Sequence, residues 1–315
     1  SKQYEVIAEE QYRYESDESY IDAIEKLYEN LDLLSDEALK IEIKHAHKGL
    51  RIVKHVPKDE WIAYQVLVQS ASHVWAQAKT NNDFDMFLPI LEKNIQFQRK
   101  LVKYLETDKL KGYDVLLDFF EDGMTMEIYD TFFEKLREEL VPFVADVTGR
   151  PKKRFPRALT HGHFPKEGQR VFSEYLLDVF HYDRKRGLLK ESAHPFTAGE
   201  TSTDTRITTH YYEDHLVSSI FSTIHELGHA LYEMQNDPVY DHSFLHGGTS
   251  MGIHESQSRL YENMIGRQHA FWVNHYGKLT SIFKKQLKSV SLDQFVSYVN
   301  TPKRSLIRVE ADELT

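Results

Sequence analysis

In the stretch STIHELGHALYE, Ser222 to Glu233, His225 and His229 stand four residues apart, with Glu226 directly after the first. On a helix, residues four apart share a face one turn apart, so both imidazoles can reach a single ion. Glu226 is rotated by about 100° from His225 and sits beside such an ion rather than on it. That is where a general base for a metal-activated water belongs. The chain has 17 histidines among 315 residues, so a His-Glu-x-x-His run arises by accident in on the order of one such chain in ten or twenty. Gly228 adds weight. Glycine inside a helix costs about 1 kcal/mol relative to alanine and calls for a reason, such as close approach of another element.

A hydrolytic zinc site needs three protein ligands and one open position. Glu233 continues the histidine face but lies roughly 12 Å along the axis from His225, too far to share an ion with both histidines. The extended pattern with a third histidine needs Gly at 232 and His at 235, where this chain has Tyr232 and Gln235. The remaining arrangement takes a carboxylate from a following helix. After the Gly-rich loop HGGTSMG comes IHESQSRLYENMIGRQHAFW, which reads as amphipathic. Glu255 is the first candidate for the third ligand, and Glu262, two turns on, is the reserve. Without the upstream motif Glu255 would read as a solvated residue pairing with Arg259. His254 is an alternative ligand or a partner behind the ligands.

The elements that must position these groups are mostly helical. Ile21, Ile24, Leu27 and Leu31 fall at helical spacing, and so do Ile90, Leu91, Ile95, Phe97, Leu101, Val102 and Leu105. YDTFFEKLREELVPFVADV is a third amphipathic stretch. Such stripes read as core packing. The helix carrying the motif is expected from about His215 to about Gln235, capped by Asp214 and ended by Asn236-Asp237-Pro238. Thr203 to Tyr212, TDTRITTHYY, alternates in the manner of a strand, so a small sheet is expected just before that helix. The fold class is mainly α. We expect one mostly helical catalytic domain over 1–315, with a helical region 1–148 and a metal-site region 149–315 joined by the Gly149–Gly168 loop.

Composition narrows the setting. The apolar share is 41% and the charged share 28%, the mix of a globular chain. No run of about 18 apolar residues suggests a membrane span, and the start SKQYEVIAEE does not read as a secretory signal. There is no cysteine, so any metal must use histidine and carboxylate, and a reducing cytoplasm is the simplest address. With net charge −10 and one basic cluster, GRPKKRFPR, that reads as a connecting loop, nucleic acid is not an expected partner.

The motifs HPF (194–196), DTRIT (204–208), HELGH (225–229), HESQ (254–257) and IRVEAD (307–312) occur in the order found in the M32 metallocarboxypeptidases, the carboxypeptidase Taq family. NNDFDMFLPILEKN and YDVLLDFFEDGMT also look like family segments, so the resemblance covers nearly the whole chain. It implies a helical zincin-like peptidase with a cleft, a zinc or cobalt ion on His225, His229 and Glu255, Glu226 as base, and a homodimer when full length. The family's N-terminal segment and its C-terminal Gly-x-x-Gln-Asp-x-His-Trp motif are absent from these residues, so the chain is expected to be an internal piece of a longer bacterial protein.

Removal of one C-terminal residue requires a cation to receive the substrate carboxylate, best a two-pronged arginine. Arg206 and Arg308 lie in family motifs and are the candidates, with Asp204 and Asp312 as their structural partners otherwise. Arg206 sits on the expected strand, which could itself pair with a substrate backbone. His194 is a further substrate candidate or a turn residue before Pro195. The expected substrates are peptides with a free C-terminus. The rivals are an endopeptidase or aminopeptidase of the same metal chemistry, and a helical scaffold with no activity.

Overall fold

The computed structural model describes residues 2–151 and 153–302. Arg308, Asp312 and the IRVEAD motif lie outside the described residues. The chain divides into two compact units, Ser1–Asp130 with Ser243–Leu245, and Thr131–His242 with His246–Thr315.

The first unit is built from six helices: α1 (Lys2–Glu15), α2 (Glu18–Glu29), α3 (Glu37–His55), α4 (Lys58–Asn81), α5 (Phe84–Leu105) and α6 (Asp114–Phe120). Their starts are written in aspartates. Asp17, Asp36 and Asp83 each turn a carboxylate onto free N–H groups in the first turn of α2, α3 and α5. Helix α1 packs on α4, α4 on α5, and α2 on α3. Ile52, Val56, Phe97, Leu101, Leu105 and Val115 form the apolar centre. The α5 stripe is thus buried over its C-terminal half, whereas Ile95 is exposed. Helix α2 buries none of its side chains fully, because its main neighbour is the single helix α3. Asp118 on α6 is buried and meets Lys48 and Arg51, each at 3.0 Å.

The division between the units falls inside α7 (Met126–Gly149), which buries none of its side chains fully. Its amphipathic sequence suggested core packing, yet Phe132, Phe143 and Val144 are exposed. Residues 150–156 then lead to the short α8 (Arg157–His161) and to α9 (Lys166–Val179).

The second unit holds a sheet of three strands, β1 (Leu189–Glu191), β2 (Thr197–Thr201) and β3 (Asp204–Thr209). Strand β3 lies in the middle, parallel to β1 and antiparallel to β2, with Ile207 opposite both Leu189 and Thr197. The expected strand therefore exists, shorter than TDTRITTHYY. Its central place corrects one expectation: both edges of β3 are already paired, so an added peptide strand would have to use β1 or β2. The sheet lies against α10 (Leu216–Glu233).

Helix α10 buries Leu216, Ile220, Ile224 and Leu227, each worth about 1.5–3 kcal/mol of apolar burial, while Leu231, at the same spacing, is only half-buried. Asp214 does not cap it. The residue at the cap is His215, with no side-chain bond to the first turn, and Asp214 lies one residue earlier, inside a turn closed by His215 N–H on the Tyr212 carbonyl. The polar side of α10 is tied to its neighbours through Ser219 to Gln169 of α9 at 2.7 Å and Thr223 to Ser173 at 3.0 Å. Helix α11 (Met251–Arg259) follows, running directly into a π-helical segment, Leu260–Gly266. Helices α12 (His269–Ile282), α13 (Lys284–Leu287) and α14 (Leu292–Val299) follow among the described residues. Trp272, fully buried, donates its indole N–H to the Gly266 carbonyl at 2.8 Å and so pins the end of the π segment.

Candidate metal and active site

Gly228 shows how α10 and α11 come together. A Cβ at that position would lie 2.6 Å from Ser258 Cα and 2.8 Å from the Gln257 carbonyl oxygen. The missing side chain lets the backbone of α11 touch that of α10. This brings Glu255 over the face that carries the two histidines. Glu255 Oε2 lies 3.6 Å from His225 Nε2 and 3.3 Å from His229 Nε2. One ligand atom from each of the three residues lies within 4.8 Å of the others, and this is the His/Asp/Glu group of metal-binding geometry among the described residues.

The far sides of the rings are held as well. His225 Nδ1 meets Glu262 Oε2 at 3.0 Å, and His229 Nδ1 meets His254 Nδ1 at 2.6 Å. Each histidine thus has its Nδ1 engaged on protein and its Nε2 turned toward Glu255. This matches how a metal-binding imidazole is held, with the second nitrogen bonded behind it. Glu262, the reserve for the third ligand, stands behind His225 instead. Arg259 Nη1 reaches Glu262 Oε2 at 3.2 Å, and Arg267 Nη2 reaches its Oε1 at 3.0 Å. The π segment that carries Glu262 is a rare winding that recurs at functional sites.

Glu255 is fixed on its other side by Arg259 Nε at 2.9 Å and by the Ser258 hydroxyl at 3.1 Å. Burial works against its charged form, but the bond to His229, the neighbouring His225 and Arg259 outweigh it and hold its pKa down at about 2. Glu262 follows the same pattern: burial raises its pKa, and His225, Arg267 and Arg259 bring it below the ordinary carboxylate range. His225 shows the reverse balance, since burial disfavours its charge while the bond to Glu262 and the charges of Glu226, Glu262 and Glu255 push its pKa up overall. An anionic carboxylate facing two imidazole Nε2 atoms is a donor set suited to a borderline divalent cation such as zinc.

Glu226 is 6% exposed. One of its oxygens accepts the Thr197 hydroxyl of β2 at 2.6 Å. This contact had no sequence signal, because Thr197 is one of many β-branched residues near the predicted strand. His254 and the π-helical setting of Glu262 were also beyond periodicity, although the HESQ motif drew attention to His254.

The substrate candidates are placed less decisively. Arg206 lies on the exposed face of β3, gripped by Asp204 through Nε at 2.8 Å and Nη2 at 2.6 Å. This is the ion pair expected if its role is structural. His194 is exposed in the bend before β2, where its carbonyl accepts the Ser192 hydroxyl at 2.6 Å.

A family model described as carboxypeptidase Taq (M32) metallopeptidase matches residues 1–315. The chain belongs to this family. Among M32 relatives, carboxypeptidase 1 of Bacillus subtilis (strain 168) is 41% identical over 93% of this chain, and thermostable carboxypeptidase 1 of Thermus thermophilus is 35% identical over 90%. The chain spans 58% and 56% of the length of these two relatives. A solved M32 carboxypeptidase from Deinococcus radiodurans R1 superimposes with a TM-score of 0.84 at 31% identity, covering 99% of this chain and 62% of that one. A Pyrococcus furiosus carboxypeptidase structure gives 0.82 at 29% identity, covering 96% and 60%. The mainly helical, zincin-like fold expected from the sequence is that of these M32 structures.

Proposed function

We propose that the protein carrying this chain is a metal-dependent carboxypeptidase in which His225, His229 and Glu255 hold a zinc or cobalt ion and Glu226 is the general base. The observation that carries this reading is the facing of two Nε2 atoms and one carboxylate oxygen, with both Nδ1 atoms bonded elsewhere. When bound, a divalent cation supplies Lewis acidity to the scissile carbonyl and lowers the pKa of water. Glu226 takes a proton from the attacking water and returns it to the leaving amine nitrogen as the C–N bond breaks. The Thr197 hydroxyl fixes the rotamer of Glu226 for both transfers. Arg206, oriented by Asp204, is the proposed partner of the substrate's terminal carboxylate, with His194 and Arg308 as further substrate contacts. The substrates are peptides with a free C-terminus. We also propose a cytoplasmic location, from the cysteine-free composition, and a homodimer, from the family resemblance.

The test is Glu226→Gln in the full-length protein. It should lower kcat on C-terminal release by on the order of 10²–10⁴ while zinc binding stays stoichiometric. A variant as active as wild type would refute the role of Glu226. Equal cleavage of free and C-terminally amidated peptides would point to an endopeptidase or aminopeptidase instead.

A further inference from the structure

Behind His229 the side chains continue as a chain. His229 Nδ1 meets His254 Nδ1 at 2.6 Å, and His254 Nε2 meets Glu233 Oε1 at 2.7 Å. Glu233 is 7% exposed and also accepts Asn236 Nδ2 at 3.1 Å on its second oxygen. The His254 ring is boxed in. The Tyr232 ring packs edge-on at 5.1 Å between centroids. Gly248, at φ +87°, passes so close that a Cβ would lie 2.6 Å from Tyr232 Cε1 and 3.3 Å from His254 Cδ2. The loop glycine therefore presses both rings into place, and the backbone conformation there suits only glycine.

With both imidazoles neutral, the direction of the hydrogen bonds follows by elimination. Ionised Glu233 can only accept, so His254 carries its proton on Nε2. The Nδ1 of a neutral His254 is then an acceptor, and His229 must donate to it from Nδ1. That leaves the lone pair of His229 on Nε2, the atom that faces Glu255. Were the chain reversed, His229 would carry a proton on Nε2 and could not bind a cation there.

We propose that His254 and Glu233 act in series as positioning residues that set the tautomer of His229 and thereby the metal affinity of the site. This rests on the metal-site reading above. His225 has the same device in shorter form, with Glu262 accepting directly from its Nδ1. The two ligands are thus held by different lengths of chain, one carboxylate deep and one imidazole plus carboxylate deep. Glu233, excluded as a ligand by its distance along α10, acts through His254 instead.

The experiment measures zinc affinity of the full-length protein by competition with a chromophoric chelator, alongside the melting temperature of the metal-free form. His254→Leu should weaken zinc binding by about 10–100-fold. His254→Asn places an amide oxygen near the Nδ1 position and should restore most of the affinity, which a loss of mere packing would not do. Glu233→Leu should weaken binding in the same direction, and the double variant with His254→Leu should be no weaker than His254→Leu alone. If His254→Leu misfolds, the comparison of Glu233→Leu with wild type decides the matter by the same readout. Unchanged affinity in His254→Leu or Glu233→Leu, or equal loss in the Leu and Asn variants at 254, would overturn the proposal. Failure of the underlying reading looks different: wild type would bind no stoichiometric zinc, or would bind it as tightly after His229→Ala.

Discussion

Asp118 in the first unit and Glu262 in the second are both buried carboxylates held between two long cations. Asp118 has Lys48 and Arg51, and its other oxygen accepts the Gly123 N–H at 3.1 Å. Glu262 has Arg259 and Arg267. The difference is the third partner. Around Asp118 the partners are cations and backbone, and they join α3 to α6. Glu262 instead bonds an imidazole whose other nitrogen faces a second carboxylate. A buried acid ringed by fixed cations is a clasp. A buried acid that orients a group with a further free coordination direction is part of a site. Both cases set a carboxylate between two cations at similar burial, so it is the third partner that separates them.

The contrast predicts opposite responses to removing an acid. Glu255→Ala in the full-length protein should weaken zinc binding by roughly 100-fold or more, since it removes a proposed ligand rather than a group behind one. A Glu255→Ala protein that binds zinc like wild type would place the ion elsewhere. Asp118→Ala should leave zinc affinity unchanged and cost about 3 kcal/mol of stability, at the low end for breaking a buried pair because Lys48 is partly exposed. Chemical denaturation checks the cost, and chelator competition checks the affinity.

The same clasp carries a pH signature. Burial works to raise the Asp118 pKa, but the Gly123 N–H, Lys48 and Arg51 outweigh it and hold it below the ordinary carboxylate range. A carboxyl whose pKa is lowered on folding stabilises above its unfolded pKa, about 3.9, and that stabilisation is lost as pH falls through the lower folded value. Wild type should therefore lose more stability than Asp118→Asn on acidification below about pH 4. Parallel acid curves for the two would remove Asp118 from the clasp.

How much of this was written in the sequence depends on the range of the interaction. His225, Glu226 and His229 were legible because helical spacing alone sets their relation. Glu255 was legible through the failure of Glu233 and Gln235 and through the HESQ motif. The demand that Gly228 needed a close neighbour was legible too, although not that the neighbour would be the Ser258 backbone. What stayed hidden depends on side chains distant in sequence that the fold brings together. Thr197 on Glu226, Glu262 behind His225 and Glu233 behind His254 have no local pattern. Asp214 is not the cap because a turn and a helix cap use the same residue types, and here Asp214 belongs to the turn. The exposure of α7 was not legible either, since periodicity marks an apolar face without saying what covers it.

Two smaller changes sharpen the comparison further. Gly228→Ala would force apart the α10 and α11 backbones, costing about 1–3 kcal/mol as an overpacked contact, and should weaken zinc binding because Glu255 rides on the displaced helix. A stability loss with unchanged affinity would show that Glu255 is held independently of that contact. Arg206→Lys keeps the charge but not the two-pronged grip of Asp204, and should raise KM by a few-fold with kcat unchanged. No change in KM would leave Arg206 as a second clasp, in the manner of Asp118.

The most direct measurement is anomalous diffraction at the zinc edge from crystals of the full-length protein grown with zinc. One strong peak is expected, bonded to His225 Nε2, His229 Nε2 and a carboxylate oxygen of Glu255, with Glu226 beside the ion and uncoordinated. A peak bonded to other residues, or no peak at this site under saturating zinc, would contradict this ligand set.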